Sequence, residues 1–238
     1  MGQKKLLRFN QIKSFANVKE YPQDMKGRWH TFFGNQNGIS LELACGRGEY
    51  TVGLSAMHPE NNYIGVDVKG NRMYIGAKKC LEQDRKNAAF LRTQIEMLGS
   101  YFNPAEVNEI WITFPDPQLR KSRAKKRLTH PRFLRVYQQL LRHDGKIHLK
   151  TDSPDLYQFT KTVIDLYALP LYRDINDVYA QLSVDPELQI KTYYEGLDIA
   201  KSSKIFYLCF GLNEMPSVKD EALKELLQIN HDESEENS

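Results

Sequence analysis

From Gly38 onward, short runs rich in β-branched and aromatic residues alternate with longer polar stretches whose apolar positions recur at helical spacing. Such alternation predicts a doubly wound α/β sheet, because helices must cover both faces of strands that are apolar on both sides. The runs at 39–43, 63–67, 89–92, 109–114 and 146–151 predict strands. Helices are predicted at 49–57, 71–85, 131–142 and 154–167, the last two opening on a proline suited to a first helical turn. Beyond Pro170, the runs at 171–174, 190–195 and 204–210 read as further strands, two of them able to pair as a hairpin, and 218–229 has helical spacing. The expected architecture is a mostly parallel, Rossmann-like sheet of about seven strands with a C-terminal antiparallel hairpin.

Charge divides the chain of 238 residues into three parts. Residues 1–37 read as a basic, irregular arm, residues 38–212 as the catalytic domain, and residues 213–238 as an acidic extension carrying eight Asp/Glu against two Lys/Arg. The net charge of +3 therefore hides a basic body. No acid lies between Asp116 and Asp144, whereas Arg120, Lys121, Arg123, Lys125, Lys126 and Arg127 follow one another closely. A one-signed run this dense favours a polyanionic partner.

Other classes lose ground. No apolar run approaches the ~20 residues of a membrane helix. The start lacks a signal-peptide core, and Leu6 stands where a myristoylation signal wants Ser or Thr. These features predict a cytoplasmic protein without membrane attachment. Cys45, Cys80 and Cys209 are widely spaced and stand apart from the histidines, which predicts neither a disulfide framework nor a metal site.

Leu41-Glu42-Leu43-Ala44-Cys45-Gly46-Arg47-Gly48 reads as a strand running into a glycine turn and then a helix, the station at which open α/β sheets bind nucleotide-like ligands. Asp67 ends the next strand and can accept from both hydroxyls of a ribose. Thr51 stands where a dinucleotide fingerprint would place its third glycine, and Glu42 would repel a pyrophosphate. The pair of features predicts S-adenosylmethionine, which is cationic and carries no phosphate. Downstream, Trp111-Ile112-Thr113-Phe114-Pro115-Asp116-Pro117 is an apolar strand stopped by an acid between two prolines, which fixes Asp116 at the ligand-gathering edge just before the basic run.

Phe114-Pro115-Asp116-Pro117, the basic stretch through Lys125-Lys126-Arg127-Leu128, Thr151-Asp152 and Thr192-Tyr193-Tyr194-Glu195 occur in an order that resembles the bacterial tRNA (guanine-N7-)-methyltransferases, over roughly residues 41–212. The resemblance implies a class I methyltransferase fold acting on N7 of a guanine in the tRNA variable loop, without a partner subunit. It further implies that Asp116 is the central acid and that Glu42, Gly46, Gly48, Asp67, Thr93, Gln94 and Asp116 meet the cofactor. Arg120, Asp152, Thr192, Tyr193, Tyr194 and Glu195 would contact the substrate, with Lys121, Arg123, Lys125, Lys126 and Arg127 on RNA phosphates. The chain departs from the usual pattern at Ala44 (commonly glycine), at Thr93-Gln94 (commonly an acid), at Gln118 (often tryptophan) and at Arg120 (often lysine). Ala44 is expected only to tighten the loop. Competing readings are a methyltransferase for another substrate, a catalytically silent RNA-binding protein with a nucleoside pocket, and a nicotinamide oxidoreductase.

Overall fold

The structure is a computed structural model that describes residues 2–197 and 202–236. Eight strands form one sheet: β1 (Val18–Glu20), β2 (Ile39–Leu43), β3 (Asn62–Asp67), β4 (Ala88–Arg92), β5 (Val107–Thr113), β6 (Leu141–Thr151), β7 (Leu171–Ile175) and β8 (Phe206–Phe210). Their spatial order is β1-β4-β3-β2-β5-β6-β8-β7. Neighbours pair in parallel from β1 to β6, while β8 runs antiparallel to both β6 and β7.

Alternation along each strand decides what covers which face. Leu41, Leu43, Ile64, Val66, Ile110, Ile112, Ile147 and Leu149 join one core, shared with helices α2 (Trp29–Phe33), α5 (Pro131–Leu140), α6 (Pro154–Tyr167) and α7 (Lys219–Glu236). The opposite face packs under α3 (Glu49–Met57) and α4 (Gly70–Glu82), and under the chain from Ile175 to Ile190. Both α5 and α6 begin as their sequences predict. His130 caps α5 by accepting from the Arg132 amide, Ser153 caps α6 by accepting from the Leu156 amide, and each helix has a proline in its first turn.

Two expectations are corrected. The N-terminal arm is not irregular: helix α1 (Gly2–Gln11) lies against α4, Phe15 stacks on Tyr74 at 5.2 Å, and β1 adds an eighth strand beside β4. The described residues 190–195 form no strand. Thr192 Oγ1 accepts from the Glu195 amide, and the Glu195 carboxylate accepts from the Thr192 amide. This reciprocal capping box gives the backbone local partners in place of a ladder and starts a short 3₁₀ turn, Glu195–Leu197.

Candidate active site

Strand order reverses between β2 and β5, and loops leaving the carboxyl ends of strands on either side of such a switch open a crevice. The glycine turn follows β2 and the Pro-Asp-Pro loop follows β5, so the two strongest motifs flank this crevice. Asp67 ends β3, Thr93 follows β4, and Asp152 follows β6 on the same edge.

The glycine turn is built from left-handed residues: Ala44, Gly46 and Gly48 have φ of 52, 55 and 74°. At Gly48 a β-carbon would lie 2.5 Å from the Phe90 ring, so glycine is required there by packing. At Gly46 the nearest side chain is the Tyr194 ring, 3.6 Å from where a β-carbon would sit, and the position remains open for a ligand's approach. Ala44 does more than tighten the loop, since the left-handed conformation costs an L-residue about 1–2 kcal/mol. Asp67 holds the turn in place, accepting from the Gly46 amide and the Lys69 amide, each at 2.9 Å.

Glu42 lies at the root of the glycine turn. It is 3% exposed, and its oxygens accept from Thr51 Oγ1 at 2.6 Å, the Thr51 amide at 2.7 Å and the Tyr50 amide at 3.4 Å. It therefore fastens the start of α3 beneath the turn. Burial pushes its carboxyl up to about 8, against the pull of the Thr51 and Tyr50 donors. The neighbouring Cys45 thiol is pushed far up as well, first by burial and then by the carboxylates of Glu42, Asp67 and Glu49. Asp67, bonded to the Gly46 amide, and Glu49, directly after Gly48, place carboxylates beside the turn, a negative field that suits a sulfonium and an ammonium group and opposes a diphosphate.

Thr93 is fully buried with a hydroxyl that no protein group pairs, while Gln94 is exposed at the start of the following 3₁₀ turn. An unpaired buried hydroxyl beside Asp67 fits a polar ligand atom, and with the open face of Gly46 and the negative field it makes the donor set compatible with S-adenosylmethionine.

The Pro-Asp-Pro loop is held from several sides. Phe114 and Gln118 take φ of 47 and 49°, and the Phe114 amide donates to the Lys150 carbonyl at 2.8 Å. The exposed Asp116 carboxylate accepts from the Gln118 amide at 3.0 Å. Arg127, expected on an RNA phosphate, is instead 6% exposed: Nε donates to the Pro117 carbonyl at 3.1 Å, Nη2 donates to the Gln118 carbonyl at 3.3 Å, and the guanidinium lies over the Phe159 ring at 4.5 Å. An arginine is suited to this, since its planar fork can bond two carbonyls while its face stacks. Arg120, Arg123, Lys125 and Lys126 are exposed along and beside the 3₁₀ segment Lys121–Lys126; the side chain of Lys121 lies outside the described part.

Thr192 through Glu195 reach across the crevice. The Tyr193 amide donates to Glu49 at 3.1 Å, Arg47 stacks on the Tyr193 ring at 3.5 Å, and Tyr194 lies over Gly46. Glu195 and the half-buried Asp152 share a cavity of about 240 Å³ with Tyr179 and Lys191. Glu195 is heavily engaged: beyond the capping box, it accepts from Tyr179 Oη and from Lys150 Nζ.

Lys150 belongs to none of the sequence motifs. Its Nζ donates to the Leu188 carbonyl at 2.8 Å, the Ile190 carbonyl at 3.1 Å and Glu195 Oε2 at 3.0 Å, and its side chain is wholly buried. A lysine inside a strand covered on both faces requires a buried acid and carbonyl acceptors, and that was the available signal.

Among the described residues, no helix is long and apolar enough to cross a membrane, and no group of three or more His, Cys, Asp or Glu is poised to hold a metal. Cys45, Cys80 and Cys209 are buried free thiols. A putative-methyltransferase family model matches residues 36–208. A tRNA (guanine-N(7)-)-methyltransferase of Porphyromonas gingivalis is 49% identical to this chain, covering 85% of it and 87% of the relative. One from Bacteroides thetaiotaomicron is 48% identical, covering 89% and 87%. Among solved structures, a 30S ribosomal A1408 methyltransferase from an uncultured bacterium has the same fold, with a TM-score of 0.58 at 14% identity over 82% of this chain and 96% of that one.

Proposed function

The chain belongs to the tRNA (guanine-N(7)-)-methyltransferase family, and on that premise we propose that it moves the methyl group of S-adenosylmethionine to N7 of a guanine in the tRNA variable loop, at conventional position 46. One observation carries the assignment of roles: an exposed carboxylate, Asp116, is fixed at the sheet edge across the strand switch from a glycine turn flanked by the carboxylates of Asp67 and Glu49.

S-adenosylmethionine supplies an already activated methyl group. Guanine N7 is an unprotonated lone pair, so the protein's work is to position the base, and such positioning is worth roughly 7–11 kcal/mol when attack is in line. Asp116 accepts from the guanine N1–H and its exocyclic amine, which turns N7 toward the glycine turn and offsets the positive charge that develops on the base. Asp67 takes the ribose hydroxyls, Thr93 offers its spare hydroxyl to the adenosine, and Gln94 flanks it from the surface. Glu42 acts from below by fixing the turn. Arg120, Arg123, Lys125 and Lys126, joined by Lys121, take phosphates. Asp152 and the segment from Thr192 to Glu195 close the substrate side, with Tyr193 and Tyr194 offering rings to the base.

The test is incubation with labelled S-adenosylmethionine and unmodified tRNA, followed by identification of the product nucleoside. Label in 7-methylguanosine from the variable loop supports the assignment; label in another nucleoside, or none in RNA, overturns it.

A further inference from the structure

Resting on the tRNA reading above, the geometry points to Leu119 as an apolar wedge that takes the stacking place vacated when the target guanine enters the crevice. Three observations converge on this side chain.

Leu119 is 62% exposed, and it is the one large aliphatic side chain between Asp116 and Arg127, a stretch otherwise of one proline, one alanine and polar or cationic groups. An exposed leucine means little alone, but this one is three residues from the acid proposed to grip the base. Its backbone is held on the near side: Asp116 accepts from the Gln118 amide, Gln118 is left-handed, and Arg127 binds the carbonyls of both Pro117 and Gln118. A loop so held presents Leu119 outward at a fixed place on the crevice lip. Finally, the cations that follow it, Arg120, Lys125 and Lys126, attract phosphates and give an aliphatic group nothing to bury against. The flat face of a nucleobase does.

The reaction supplies the need. A purine stacked in folded RNA cannot bring its edge into a concave crevice without leaving the stack, which is why enzymes that modify bases extrude them. Apolar side chains, leucine among them, wedge between base steps of nucleic acids and hold them unstacked. Leu119 is placed for that role, and neighbouring phosphates would be held by the cations beside it.

The experiment uses the full chain, S-adenosylhomocysteine and an unmodified tRNA carrying a fluorescent adenine analogue immediately 3′ of the target guanine. Wild type should raise the fluorescence several-fold on binding as the neighbour loses its stack. Leu119→Ala should bind the tRNA within about three-fold and bind S-adenosylmethionine equally, lose the fluorescence rise, and methylate at least ten-fold more slowly. Leu119→Met should recover both signals. Turnover by Leu119→Ala within two-fold of wild type overturns the proposal, as does slow turnover with the fluorescence rise intact. A wild-type protein that methylates no tRNA would instead refute the functional assignment on which the wedge rests.

Discussion

Lys150 and Glu195 form an ion pair at 3.0 Å with side chains 0% and 6% exposed, tying the end of β6 to the segment that crosses the glycine turn. Burial draws the lysine ammonium below its usual range, and the carboxylate opposes that pull. Removing one member leaves the other charge buried and unpaired, which costs about 3–5 kcal/mol. Lys150→Met should therefore lower the unfolding midpoint sharply in a thermal melt. In protein that remains folded, it should raise KM for tRNA by loosening residues 192–195. An unchanged melt and KM would show that the clasp is dispensable.

Asp116 is exposed, and one of its oxygens accepts from its own loop. Asp116→Asn should lower turnover by about 10²–10³, the loss typical of a preorganised electrostatic contact. Because Asp116 does not support the glycine turn, calorimetry should find S-adenosylmethionine bound within a few-fold of wild type. Loss of cofactor binding alongside turnover would move Asp116 from base positioning to cofactor positioning.

The basic run contains two kinds of cation. Lys125 and Lys126 are exposed, so replacing both with alanine should flatten the slope of log affinity against log salt by about 0.7–0.9 for each phosphate no longer neutralised. Arg127 is buried in the loop it braces. Arg127→Met should leave that salt slope unchanged while lowering the melting temperature, which filter binding and calorimetry can separate.

Glu42 carries a pH signature. Its folded carboxyl titrates near 8, above the unfolded value of 4.5, so the native state holds more protons than the unfolded chain between those limits. Its contribution to stability is full below pH 4.5 and is lost as pH rises toward 8, by an amount on the order of 3–5 kcal/mol. His130 acts in the opposite direction at lower pH. Burial depresses it to about 4, so its contribution is lost as pH falls from 6.5. Chemical denaturation at pH 5 and pH 8 should show wild type weakening across this window, with Glu42→Gln markedly flatter. Parallel curves for the two proteins would remove Glu42 from the account.

Much of this was readable in the chain, because strands and helices announce their period. Ile39 to Leu43 and the proline-led α5 and α6 lie where the spacing placed them, and Asp116 emerged at the sheet edge since two prolines leave a strand no means of continuing. What was hidden depended on partners distant in sequence. Val18 to Glu20 is too short to read as a strand until β4 lies beside it. Residues 190–195 carry β-forming side chains, yet the Leu188 and Ile190 carbonyls are claimed by Lys150, some forty positions away. Arg127 and Glu42 bear charges that suggest solvent or ligand, and only the folded packing shows that each serves the loop above it.

The short strand β1 also governs how the protein tolerates trimming. It occupies the outer side of β4, where its Glu20 pairs with Arg92 at the carboxyl end of that strand. Cutting away residues 1–20 would leave β4 as a naked border with unpaired amides and an orphaned guanidinium, an invitation to edge-on aggregation. Versions shortened for solubility should for this reason keep α1 and β1, and affinity handles belong at the opposite terminus.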